Sequence, residues 1–298
     1  MTDERREGAR DVAPEGPDPA VSDVASYLLS VGRRADKGIE ERQQQIKGLQ
    51  REQKHLRAVV ALVSGVTEGL DAGHPGAALF TIDRAKDARA YLREHHPAVD
   101  ERVEELRAAL HPKVDEVISD LPRRLPAELD TRGVSLDASS RSPKFTVERS
   151  FLVATIDRKT RQATVQTRGG KKEKVAVDAD LLADNIAAAW RRCFDRPTDL
   201  PALARRLHDA WKSLARPEAT RVSMPSLVNE LRKRDKDFSV DEFAVDLARL
   251  VTSGPGAVAE AEHLHLDHTK NDAEGLLLPG LEQSGYFGYI TFDEGGAS

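Results

Sequence analysis

The stretch whose residue types and spacing best suit metal chemistry is His263-Leu264-His265-Leu266-Asp267-His268. Imidazoles and a carboxylate so close together are the donors that bind zinc and similar ions. A metal held there would lower the pKa of a bound water and supply a hydroxide nucleophile near neutral pH. The same stretch also reads as a strand, in which Leu264 and Leu266 face a core while His263, His265 and Asp267 face water. On that reading, same-face His263 and His265 would bind zinc or nickel only adventitiously.

The HxHxDH spacing resembles that of the metallo-β-lactamase superfamily. The resemblance implies a metal-dependent hydrolase with His263, His265, Asp267 and His268 as ligands. It also implies more His and Asp ligands well downstream, within a large α/β sandwich. Thirty residues follow His268, none of them histidine, and the preceding pattern is helical. The string is therefore expected to be a surface strand, with no catalytic residue and no cofactor assigned. Other motifs are equally sparse: there is no GxGxxG and no GxxxxGK[ST], so nucleotide sites of those kinds are absent. His208 neighbours Asp209 and Trp211, but no Ser or Cys sits in a nucleophile-elbow context. Cys193 is the single cysteine, which excludes an internal disulfide and any CxxC zinc spacing.

Charge gives a second lead. Between Arg141 and Ala176 ten Lys/Arg stand against three Asp/Glu, whereas from Ser239 onward two stand against eleven. Arg158, Lys159, Arg161, Arg168, Lys171, Lys172 and Lys174 concentrate in two hairpin turns and their strand ends. If those turns share an edge or face, they would track phosphate oxygens without reading sequence. The alternative is a solvated hairpin surface, or a patch for an acidic protein partner.

The elements that must position these residues follow from periodicity. Residues 1–20 carry Pro, Gly and charge with little to bury, and are expected to form a disordered tail. From 21 to 121 the pattern is helical, a bundle with coiled-coil character. Leu49, Leu56, Val63 and Leu70 recur every seven residues, with Ile39, Ile46 and Val60 on an interleaved column. Gln53 interrupts the a column and Arg42 the d column. This seam is either one helix of an antiparallel bundle or an intermolecular coiled coil. Gly73-His74-Pro75-Gly76 breaks it, a second helix carries Leu79, Ile82, Ala85 and Leu92, and a third runs to Leu121 with a kink near Pro112.

Residues 122–143 read as a linker. From 144 to 216 a three-stranded β-meander is expected (145–156, 163–167, 175–177), followed by two helices, the first capped by Asp178 and the second beginning near Pro201. Residues 217–298 order as helix, helix and β-hairpin, which resembles a winged-helix domain, with the Leu203–Leu214 helix as a possible first member. A groove-reading helix normally presents basic and amide side chains. Here the second helix offers Asp241, Glu242 and Asp246 with only Arg249 in return, which points to protein docking.

The whole is expected to be α+β, mostly helical and cytoplasmic, with no signal peptide and no membrane span. The leading expectation for function is a non-catalytic adaptor that self-associates or binds a protein partner, with non-specific nucleic-acid contact through the meander. The competitors are a winged-helix transcriptional regulator and the metal-dependent hydrolase.

Overall fold

The computed structural model describes residues 19–216, 220–253, 263–271, 274–279 and 285–292. The expected tail lies almost wholly outside these. The fold is α+β and mostly helical, with eight helices and eight strands among the described residues. No helix among them is long and apolar enough to cross a membrane. The chain divides into two units, residues 1–58 and 59–298.

Helix α1 (Pro19–Asp71) accounts for all the described part of the first unit and for the start of the second. No proline falls between Pro19 and Pro75, and Glu, Gln, Arg, Lys and Leu dominate its middle, so propensity alone favours one long helix. In the second unit the last turns of α1 pack with a face that the heptad columns do not use. Leu62 and Gly69 are buried there. A Cβ on Gly69 would come 2.9 Å from the Ala78 backbone nitrogen, so glycine is what lets α2 (Pro75–Arg84) lie so close.

The expected second helix is in fact two, α2 and α3 (Lys86–His95), broken at Ala85, where ψ is 45°. The break slips the phase, so that Leu79 and Ile82 before it and Ala88 and Leu92 after it are all buried. Helix α4 (Pro97–Asp130) corrects a larger expectation. It continues through Pro112, Pro122 and Pro126, and the expected linker is helical from 122 to 130. Its buried stripe, Leu110, Val114, Ile118, Leu121, Leu125 and Leu129, keeps its spacing across the prolines. An internal proline costs about 3 kcal/mol. Burying each leucine contributes roughly 1.5–3 kcal/mol, so packing overrides the breaker signal.

The meander has four strands rather than three: β1 (Lys144–Val147), β2 (Leu152–Asp157), β3 (Gln162–Thr167) and β4 (Glu173–Val175), in that order across an antiparallel sheet. The run expected as one strand folds back at Glu148, Arg149 and Ser150, whose φ values are 52°, 56° and 69°. Left-handed backbone costs non-glycine residues about 1–2 kcal/mol each. Asp137 offsets this, because its carboxylate accepts from the Arg149 and Ser150 N–H groups at 2.8 Å each. Phe145, Ala154, Ile156, Ala163, Val165 and Val175 point inward, covered by α5 (Ala179–Phe194).

Asp178 occupies the N-cap position of α5 but makes no side-chain cap there. Its carboxylate accepts instead from Gly76 N (3.0 Å) and Ala77 N (2.6 Å), capping α2. Burial pushes this carboxyl above the usual carboxylate range.

The remaining elements are α6 (Leu200–Leu214), β5 (Val222–Ser223), α7 (Met224–Arg234), α8 (Val240–Thr252), β6 (Leu264–Thr269), β7 (Leu276–Leu277) and β8 (Tyr286–Phe292). Asp199, Ser223 and Ser239 cap α6, α7 and α8 by accepting from the backbone three residues on. The second sheet is ordered β5-β8-β6, with β7 also on β8. Strands β5 and β7 are too short to leave a periodic signal. Leu207, Trp211, Met224, Leu227, Leu247 and Ile290 fill the core between these elements.

Candidate functional site

The solvent face of the first sheet is built by register. Lys144 pairs with Thr155, Thr155 with Thr164, and Thr164 with Lys174, so one row crosses all four strands on one side. Strands lie about 4.8 Å apart, which puts the two lysine backbones some three gaps, or about 14 Å, from each other. Val153 and Gln166 form the next row, and Arg168 and Lys172 close one end of it. Together with Lys144 they line a shallow basin of about 360 Å³. The Arg168 guanidinium lies 5.0 Å over the Tyr286 ring, which holds it at the rim. Lys144, Lys172 and Lys174 are exposed and make no ion pair among the described residues. The opposite side of the sheet is the core.

This geometry redistributes the seven predicted cations. Consecutive turns of a meander lie at opposite ends of the sheet, so they cannot form one patch. Arg158 and Lys159 sit at the β2–β3 end, in a turn tied by Asp157, which accepts from Lys159 N at 2.9 Å. Arg161 is engaged: it holds Asp115 of α4 bidentately at 2.9 and 2.8 Å, and keeps that carboxyl below its ordinary range. Arg168, Lys171 and Lys172 are at the other end, with Lys174 on the open face. Lys144 was not among the sequence candidates. Its outward orientation follows from Phe145 pointing in, but its register with Thr155 leaves no trace in the sequence.

Two of the three acidic residues of α8, Asp241 and Asp246, are buried. Asp241 is buried and accepts from the Thr167 hydroxyl and from Gly169 N (2.8 Å), tying α8 to the β3–β4 turn. Asp246 is buried beneath Arg196 and accepts from the Thr198 hydroxyl at 2.6 Å. From Asp241 to Leu250 every residue but Glu242 and Arg249 is buried. On α7, Lys233 and Arg234 both engage Glu230, at 3.3 and 3.0 Å.

His263 precedes β6, and His265, Asp267 and His268 lie on it. A bulge between Asp267 and His268 interrupts the alternation. Asp267 is held by Arg221 at 2.8 Å, and the same guanidinium lies 4.1 Å over Tyr289. The His268 ring is 4.2 Å from that of Phe287. Among the described residues no group of three or more His, Cys, Asp or Glu is placed to hold a metal. His208 clusters with Trp211 and Phe292, 5.9 and 5.0 Å from their ring centres, which are themselves 5.5 Å apart. Cys193 is buried, and burial raises its thiol pKa.

The side chains of the α1 heptad columns are exposed. Ile39, Ile46, Leu49 and Leu56 in the first unit, and Val60, Val63 and Leu70 in the second, are between 41% and 65% exposed. Compared with known proteins, the chain matches no family model, no curated protein and no solved structure.

Proposed function

We propose that this chain is a non-catalytic adaptor that self-associates through α1 and offers the Lys144–Lys174 sheet face to nucleic-acid phosphates without reading sequence. The observation that carries this reading is the exposed apolar stripe on α1. Soluble monomers rarely leave such a contiguous stripe in water, because covering it is worth about 25 cal/mol per Å². The sheet face supports the second half by composition: lysine, threonine and glutamine side chains suit phosphate oxygens. Its lack of aromatics gives no platform for base stacking.

The elements from α6 to β8 are read as a winged-helix-like unit used for docking protein. The enclosure of α8 favours that over insertion into a DNA groove, where the regulator alternative would place it. The hydrolase alternative would use β6, where Asp267 is already engaged by Arg221.

Fluorescence anisotropy with random-sequence DNA tests the reading. Binding that falls with salt and weakens in Leu56→Asp, which has one sheet face instead of two, is expected. Tight binding to one two-fold symmetric sequence would replace this reading with the regulator.

A further inference from the structure

Resting on the self-association reading, the pattern of α1 also indicates which way the second helix runs. We infer that α1 pairs with α1 of a second copy, in parallel and in register, over residues 39–57. Three features of this stretch converge on that arrangement.

The first is the shape of the core positions. Ile39 and Ile46 occupy a, and Leu49 and Leu56 occupy d. β-Branched residues at a with leucine at d are the combination that favours parallel two-stranded coils over higher assemblies. The second is Gln53, the single polar a residue in this stretch. In a parallel register it faces Gln53 of the second copy, and two amides each offer a donor and an acceptor to the other. Any slip by a heptad would set Gln53 against an isoleucine or a valine and leave the amides unmatched. A polar a residue used in this way fixes register at some cost in stability.

The third is charge at the flanks. In parallel coils a g residue meets the e residue five positions on in the partner. Glu52 stands at g and Arg57 at e, so Glu52 meets Arg57 of the second copy, and the contact recurs on the other side of the seam. One heptad earlier the same rule joins Gln45 to Gln50. An antiparallel pair would set e against e and g against g, and these matches would be lost. Arg42, at d, opposes itself in the parallel register. It is tolerated within the seam at some cost, since its long stem can carry the charge out to water.

Charge reversal in the full-length protein tests the inference. Glu52→Arg puts like charges together on both flanks, as does Arg57→Glu. Each is expected to raise the dissociation constant about tenfold or more by sedimentation equilibrium. An equimolar mixture of the two variants restores both contacts in a heterodimer and should return to wild-type affinity. In parallel, Gln53→Cys should cross-link between copies under mild oxidation, Cys193 being buried and inert. A dimer in which the mixture shows no preference and Gln53→Cys does not cross-link overturns the parallel register but leaves self-association standing. A monomer at all concentrations overturns both.

Discussion

The cationic sheet face makes a quantitative prediction about salt. If Lys144, Arg168, Lys172 and Lys174 each neutralise one phosphate of duplex DNA, a single sheet face, read in the Leu56→Asp protomer, should give log K against log salt a slope of about −3.6. Between ~50 and ~200 mM salt that is roughly a 150-fold loss of affinity. Lys172→Gln with Lys174→Gln removes two of the four charges without adding repulsion. The slope should fall to about −1.8 and the loss over the same range to about twelvefold. Arg158→Gln with Lys159→Gln, at the far end of the sheet, should leave the slope where it was. The assay is anisotropy of a labelled random duplex at several salt concentrations. An unchanged slope in the first double variant, or an equal drop in both, would refute the assignment of contact to this face.

Four further outcomes follow from the packing. Leu125→Ala, beyond Pro122 in α4, should cost about 2–5 kcal/mol in denaturant unfolding; a flexible linker there would show almost none. Asp241→Ala should destabilise by about 1–3 kcal/mol by stranding Thr167 and Gly169, and leave DNA affinity unchanged; an α8 that entered the groove would instead bind DNA more tightly. Because burial raises the Asp178 carboxyl, its stabilising contribution is fully present below the unfolded pKa near 4 and is lost as pH rises through the folded one. Asp178→Asn should remove that part of the pH dependence, read as a flatter plot of unfolding free energy from pH 4 upward. Arg42→Leu should tighten self-association by removing the charge at d, read as a lower dissociation constant in sedimentation.

What the sequence disclosed divides along physical lines. Strong periodicity was readable: the long α1 helix and the helix from Leu203 to Leu214 stand where the local pattern puts them. Burial that overrides local signals was not. Pro122 and Pro126 announce a linker, and only the tertiary partners of Leu121, Leu125 and Leu129 keep the helix going. Asp178 has the sequence context of a cap for α5, but the groups it caps lie about a hundred residues away. Glu148 to Ser150 carry no turn signature, because the turn is made by Asp137 from outside it. The site was half legible for the same reason. Composition located the cations, but register decides which share a face, and it added Lys144, withdrew Arg161 and separated the two turns. Acidity on α8 suggested a surface unfriendly to DNA, whereas Asp241 and Asp246 are internal ties.

The most direct test of the adaptor account is the mass of the full-length protein in solution, by light scattering over a dilution series at micromolar concentration, beside Leu56→Asp. The account predicts twice the protomer mass for the wild type and a shift to the protomer for the variant, with unchanged helical circular dichroism in the second unit's core. A wild type that stays at protomer mass throughout, indifferent to Leu56→Asp, would contradict it.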